Sequence, residues 1–355
     1  MPPSLTGSDE TPAADAYTRA GVDLAARNDF VEQLKKITQR RGNANVLSGV
    51  GGFGALYRLM GYRDPVLASS VDGVGTKIRI AEIMRRFDTV GQDLVNHCVN
   101  DILTTGAEPL FFLDYIGSSS LTSAIKLQVV EGLQSACDAH GCQLIGGETA
   151  DMPDVYAPGD FDLVGFIVGA VERENVIDGS AIREDDALLG LPVTGLHTNG
   201  YSLVRSIFGI GVGGDAAADR AALDMWYEDL HSTLGDALLA VHKSYYADLK
   251  PVLAQLRGFA HITGGGLIDN VPRILPDGLA ARFDAGSWDV PPIFPLIQRR
   301  GDVSDEDMYH TFNMGVGAVL AVAAGEADSI AAQIPGARPV GRVIRQSGER
   351  RVIIE

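Results

Sequence analysis

The sequence predicts a layered α/β fold in two domains, on three observations. The first is length: 355 residues exceed one ordinary core and leave room for two. The second is alternation. Short apolar runs of strand length alternate with stretches whose apolar residues recur at helical spacing, which calls for helices layered on sheets. The third is glycine, at 42 residues. Its clusters (49–54, 73–75, 146–147, 195–200, 264–266 and 315–317) each adjoin an apolar run, the pattern of a ligand site made from several loops.

In chain order, Phe30, Val31, Leu34 and Ile37 predict a helix over 28–41 with Asn28 as its cap. The glycine-rich loop 49–54 follows, then a buried strand over 65–71 delivering Asp72 at its end. Helix 89–105, strand 111–116, amphipathic helix 122–140 and strands 143–145 and 161–171 complete the first half. The charged stretch 172–186 is the expected linker. A strand over 187–191 and a loop to residue 200 open the second half. Helices start at Tyr201 and cover 237–256, 265–275 and 328–334, with strands at 312–323 and 351–354. Residues 213–224, rich in Ala and Asp, are expected as a surface excursion, and Trp226, Trp288 and the methionines as packing elements.

Composition excludes whole classes of function. With 29 Lys+Arg against 46 Asp+Glu, the formal charge is −17. No basic cluster longer than Arg85-Arg86 or Arg350-Arg351 offers counterion release to a nucleic acid, so none is expected as a partner. The apolar stretches 163–171 and 315–324 fall short of the roughly 20 residues of a membrane span. The segment 1–15 is polar, acidic and Pro-containing, unlike a signal or transit peptide. Cys98, Cys137 and Cys142 make neither a disulfide framework nor a zinc spacing, which fits a reducing cytoplasm.

Four sites carry candidate chemistry. In the run from Asp72 to Lys77, glycines Gly73 and Gly75 let amides approach an anion, Asp72 can hold Mg2+ and Lys77 can neutralise phosphate. The spacing is not that of a P-loop, and a tight turn with a solvated Lys is the plain alternative. On the helix, Asp93, His97, Asn100 and Asp101 share one face and offer two carboxylates to Mg2+, or else form an exposed polar stripe. Glu148, after Gly146-Gly147, supplies a third carboxylate, and with Asp72 and Asp101 makes the inventory for metal on a nucleotide's phosphates. In the loop 195–200, His197 can move a proton and Asn199 can hold phosphate or metal-bound water; Thr263, before Gly264-Gly265-Gly266, can donate to an anion.

These motifs, taken in order with 17–23, 51–56, 99–101, 106–115, 197–205, 261–266 and 312–317, resemble the phosphoribosylformylglycinamidine cyclo-ligase family over residues 17 to about 345. The resemblance implies a two-domain fold, here a tail at 1–16 and domains at 17–172 and 173–355, with N-terminal sheets pairing across a cytoplasmic homodimer. It implies ATP-dependent closure of formylglycinamidine ribonucleotide to 5-aminoimidazole ribonucleotide, in purine biosynthesis, with phosphate as leaving group. Carried over residue by residue, Asp72, Asp101 and Glu148 become Mg2+ residues, and Lys77 and Asn199 phosphate contacts. His197 and Asp93 become catalytic candidates. Lys35, Gly52, Gly54, Gly73, Gly75, Thr76 and Thr263 complete the nucleotide- or phosphate-binding set. The chain departs from the family pattern at 242–246, where Pro-Thr before Ile-Tyr is usual, and at His310, where Arg is expected; His97 is also outside the pattern. The same fold serves selenophosphate synthetase, thiamine-phosphate kinase and the hydrogenase-maturation dehydratase. The first Cys, Cys98, and the terminal Glu355 lack the reactive thiols of two of these. An inactive nucleotide-binding homologue is the remaining alternative.

Overall fold

The computed structural model describes residues 24–38, 43–48, 51–119, 121–211 and 214–355. The motif at 17–23, the tail at 1–16 and Gly49 lie outside the described residues. Helix α1 (Leu24–Thr38) begins four residues before Asn28, which is therefore interior and not a cap.

The first half folds as β1 (Pro65–Gly73), α2 (Lys77–Met84), α3 (Asp88–Leu103), β2 (Glu108–Ser118), α4 (Ser123–His140), β3 (Gln143–Asp151) and β4 (Phe161–Glu172). Its four strands are ordered β1-β4-β2-β3. The β2 and β3 strands are parallel because α4 crosses between them; the other pairs are antiparallel. Thr122 caps α4 by accepting from the Ile125 amide, and Gly141 ends it in a left-handed turn.

Helices α3 and α4 cover one face of this sheet, and small residues set their approach. Leu94 and Phe112 fill the space over Gly165, and Ile102 that over Gly169. Where the helices cross, a Cβ at Gly132 would collide with the Asp88 carbonyl, and one at Gly91 with the Val129 carbonyl. The other sheet face leaves Leu67, Val71 and Phe166 exposed.

The second half contributes β5 (Ala187–Pro192), α5 (Tyr201–Phe208), the two-residue β6 (Trp226–Tyr227) and β7 (Ser232–Thr233), β8 (Gly258–His261), β9 (Leu279–Phe283), β10 (Val316–Val322), β11 (Arg338–Arg345) and β12 (Val352–Ile354). Six form a sheet ordered β12-β9-β11-β5-β10-β8, all antiparallel except β12 with β9. Every residue of the central β10 is buried, which explains its uninterrupted apolar run. No described helix is long and apolar enough to cross a membrane.

Several expectations are corrected. The 237–256 helix is broken into Leu234–Leu238, an irregular stretch at 239–245, Tyr246–Leu249 and a 3-10 turn at Leu253–Gln255. Residues 216–224 are a helix capped by Asp215, with Leu223 buried. Strand β3 runs on through Gly146 and Gly147 instead of stopping at residue 145. Trp288 is buried and donates to the Met314 carbonyl at 2.9 Å, whereas Trp226 is exposed. Strands β8, β9 and β11 and the helices at Ile293–Gly301 and Asp305–Thr311 were not expected.

Gly132→Ala tests the helix crossing. Alanine favours an isolated helix by about 1 kcal/mol, yet here the added methyl meets backbone that cannot rotate away, and overpacking costs about 1–3 kcal/mol. We expect a net loss in urea unfolding; a gain would show that the helices separate freely.

Candidate active site

Helix α3 carries a polar stripe that is buried, not solvated. Its partner is the irregular stretch 239–245 of the second domain, whose backbone groups have no helix or sheet to satisfy them. Asp93 Oδ1 accepts from the His242 amide at 2.7 Å, and Asn96 donates to the His242 carbonyl at 2.7 Å. Asn100 accepts from the Tyr245 amide at 2.9 Å and donates to the Lys243 carbonyl at 2.8 Å. The i, i+3, i+7 spacing puts all three on one helix face.

Lys77 belongs to the same seam. Its Nζ lies 2.8 Å from Asp93 Oδ2, both side chains wholly buried, and donates to the carbonyls of Ala240 at 2.7 Å and His197 at 3.3 Å. Burial pulls the ammonium down and pushes the Asp93 carboxyl up, each opposed by the other's charge. Neither Lys77 nor Asp93 lines the cleft, and together they join the domains.

His197 stands in the same seam. Its backbone is left-handed, at φ 62°, and its carbonyl serves Lys77 and the Tyr201 hydroxyl. The buried ring stacks on His242 at 4.0 Å between centroids, with neither nitrogen hydrogen-bonded. Burial first, then the His261 and Lys77 charges, drives its pKa well below the usual value, so the ring is held neutral.

The cleft, of about 320 Å3, opens between β1 and α3 on one side and β8 with its following loop on the other. Asp72, Asp101, His97, His261, Ser70, Thr263 and Arg273 line it. His97 Nε2 lies 2.9 Å from Asp72 Oδ2 and 3.7 Å from Asp101 Oδ2, and His261 Nδ1 lies 2.8 Å from Asp101 Oδ1. Ser70 donates to Asp101 Oδ2 at 3.0 Å. Burial opposes ionisation of both carboxyls, but hydrogen bonds from His97 to Asp72 and from His261 to Asp101 outweigh it and hold both below the ordinary carboxylate range. Two ionised carboxylates side by side are a hard oxygen donor pair and fit Mg2+.

Glu148 does not join them. The register aligns Glu148 with Tyr115, Tyr115 with Val164 and Val164 with Gly73. That places it three strand spacings from β1, about 14 Å, on the exposed sheet face opposite Asp72. The reason is local: β3 continues through Gly146-Gly147, so Glu148 is mid-strand and not at a strand end.

The remaining candidates are dispersed. Lys35 pairs with Glu32 at 2.8 Å and lies beside Gly51, next to the open turns at Gly52 and Gly54. Gly73 ends β1, Gly75 takes φ 69°, and Thr76 shares a 3.1 Å hydrogen bond with Ser202 of α5. Asn199 abuts Gly264, one residue beyond Thr263. Sequence reasoning missed Ser70, Arg273 and His242. Arg273 forms no ion pair among the described residues and gives the cleft a cation. The only available signal for His242 was its departure from the family pattern.

The comparisons agree with this architecture. Models described as AIR synthase related protein, N-terminal and C-terminal domains, match residues 53–171 and 183–354. A phosphoribosylformylglycinamidine cyclo-ligase from Thermoanaerobacter pseudethanolicus is 45% identical over 337 residues, 94% of this chain and 98% of that one. The chain belongs to the phosphoribosylformylglycinamidine cyclo-ligase family. Another member, from Desulfitobacterium hafniense, is 47% identical over 329 residues, 91% of this chain and 93% of that one. Among solved structures, thiamine-monophosphate kinase from Stenotrophomonas maltophilia matches with a TM-score of 0.66 at 16% identity, over 92% of this chain and 95% of that one. Hydrogenase maturation protein HypE in complex with ATP matches at 0.58 and 17%, over 97% and 92%. At those identities the two share the fold with this family member.

Two predictions follow from the seam. Lys77→Met leaves Asp93 buried without a counter-charge and should cost about 3–5 kcal/mol in urea unfolding, while Lys77→Met with Asp93→Leu should recover most of it. Additive losses would refute the pairing. Acid should also loosen the seam. Burial drives His242 well below its usual pKa, as it does His197, and pushes His140 down to about 4. Below about pH 6.5 the unfolded chain binds protons that the folded one refuses. Stability contributed by these residues is therefore full above that pH and falls with acidification, by up to about 1.4 kcal/mol per pH unit for each histidine. His97, shifted up by Asp72 and Asp101 against its burial, has the opposite sign, but only above its unfolded value. A lower urea midpoint at pH 5.5 than at 7.5 is expected; equal midpoints would refute the neutral histidines.

Proposed function

We propose that this chain closes the imidazole ring of 5-aminoimidazole ribonucleotide from formylglycinamidine ribonucleotide, using ATP and releasing ADP and phosphate, in the cleft between its two sheets. The observation carrying the reading is the convergence of Asp72, from the end of β1, with Asp101, from the last turn of α3, on a cleft wall completed by the second domain. The reaction needs positioning and charge neutralisation more than a protein nucleophile. The formamide oxygen takes the γ-phosphoryl group from ATP. An amidine nitrogen of the same molecule then attacks that carbon, and the C–O bond to phosphate breaks.

Each residue's part follows from its place. Asp72 and Asp101 would hold Mg2+, which supplies charge neutralisation on the ATP phosphates. Thr263 and Arg273 bind anionic oxygen from the opposite wall, and the turns at Gly52, Gly54, Gly73 and Gly75 let backbone amides approach phosphate. Lys35 lies beside the first of these turns, Thr76 beside the last, and Asn199 behind Thr263. Lys77, Asp93 and His197 act as positioning residues by fixing the second domain against the first.

The division into 17–172 for ATP binding and pairing, and 173–355 for completing the site, follows the two sheets. A homodimer is supported by the uncovered apolar sheet face bearing Leu67, Val71 and Phe166, and Glu148 belongs to that face. The acidic charge and the three buried free cysteines fit a cytoplasmic enzyme without a nucleic-acid partner.

The purified chain with Mg2+-ATP and formylglycinamidine ribonucleotide should form ADP and the aminoimidazole product in equal amounts. ADP formation indifferent to the second substrate would sink the assignment. Asp101→Asn should lower kcat at least about 100-fold without changing the thermal midpoint, since its neighbours Ser70 and His261 can still bond an amide. Unchanged turnover would remove Asp101 from the site.

A further inference from the structure

The carboxylates that suit Mg2+ sit against two imidazoles that ring closure does not require. Of the seven histidines in the chain, four (His97, His197, His242 and His261) are packed together behind the cleft floor. Two of them turn a ring nitrogen toward Asp72 and Asp101, while the other two stand behind.

We propose that His97 Nε2, His261 Nδ1 and the Asp101 carboxylate, with Asp72 beside them, form a binding site for a first-row transition ion of the Zn2+ class. Ligand atoms of His97, Asp101 and His261 all lie within 4.8 Å of one another. His261 Nδ1 lies 2.8 Å from Asp101 Oδ1 and His97 Nε2 3.7 Å from Asp101 Oδ2, either side of the roughly 3.3 Å between neighbouring ligand atoms of a tetrahedral site with bonds of about 2.0–2.1 Å. Closure of these three side chains onto an ion brings ligand atoms that now lie up to 4.8 Å apart to about 3.3 Å, by rotation of the side chains.

The donor set selects the ion. Mg2+ prefers oxygen throughout, whereas two imidazole nitrogens with carboxylate oxygen suit Zn2+ and Co2+. The outer contacts are those of a metal centre. His97 Nδ1 is held by Thr198 Oγ1 at 2.8 Å, and His261 Nε2 by His242 Nε2 at 3.1 Å. Each inward-facing nitrogen is thus oriented by a partner on the far side of its ring, as metal-ligating histidines are. Ser70 does the same for Asp101. His242 in turn is fixed by the α3 seam at its amide and carbonyl.

The site goes beyond the proposed reaction and shares two carboxylates with it, so a transition ion and Mg2+-ATP would compete for Asp72 and Asp101. The test is therefore made without nucleotide or substrate, and its outcome is independent of the ring-closure assay. The full chain, stripped with a chelator, is titrated with ZnCl2 by calorimetry and with CoCl2 by visible absorption. One ion per chain and intense d–d bands of four-coordinate Co2+ are expected. His97→Met should weaken binding by more than the 10–100-fold typical of outer-contact changes and bleach the bands. His242→Thr should weaken it within that range and leave the bands shifted but present. Should His97→Met not fold, by circular dichroism, His97→Gln and His261→Asn replace it with the same expectation. No ion bound by the wild-type chain at micromolar metal, or the same Co2+ spectrum in folded variants lacking His97 or His261, would overturn the proposal.

Discussion

One helix face holds the molecule together. Asp93, Asn96 and Asn100 on α3 bond the backbone of the irregular stretch 239–245, and Lys77 closes the seam against Asp93 and two carbonyls of the second domain. Without those partners the stretch would bury unsatisfied amides and carbonyls, each at a cost of about 1–3 kcal/mol. With them, a segment of no regular structure becomes as fixed as a strand. The relative position of the two sheets, and so the width of the cleft between them, depends on this contact.

The site inherits its geometry from the seam. Asp101 lies one residue past Asn100, and His97 one past Asn96, so the helix that grips the second domain also presents both residues to the cleft. On the opposite side, His242 is anchored by backbone to Asp93 and Asn96, stacks on His197 and faces His261, which meets Asp101. A chain of contacts therefore runs from the α3 carboxylate Asp93, through the second domain, back to the α3 carboxylate Asp101. Both walls are registered against one rigid element, which is the preorganisation that a positioning reaction needs.

Much of this was legible in the sequence, and the rest was hidden for definable reasons. The strands β1, β2, β4, β5 and β10 and helix α4 were readable because apolar period and caps agree locally. So was the pairing of Asp72 with Asp101, each beside glycine or at a helix end. The burial of Lys77 was not legible because its neighbours, glycines at a strand end, describe a loop equally well whether the ammonium points outward or inward; its acceptors at Ala240 and His197 lie more than a hundred residues away. The stretch 239–245 misled because its apolar residues repeat at helical spacing, while its actual hydrogen bonds are supplied by another domain. The mid-strand place of Glu148 was not legible because Gly146-Gly147 looks like a turn, yet Gly147 is needed within β3, where a Cβ would meet the Asp114 carboxylate. The histidine cluster had no local signal, since its members lie 19 to 164 residues apart and only the fold gathers them.

The acidic composition also acquires a local meaning. A chain at −17 that handles phosphorylated ligands must gather positive potential where they bind. The buried Lys77 and Lys126 are already paired with Asp93 and Asp151. The cation at the cleft wall is Arg273, and the opposing wall carries two ionised carboxylates. Such a wall repels bare phosphate. The two carboxylates therefore make this wall acidic where the opposite one, with Arg273, is basic, so that a phosphorylated ligand meets the cleft from the Arg273 side.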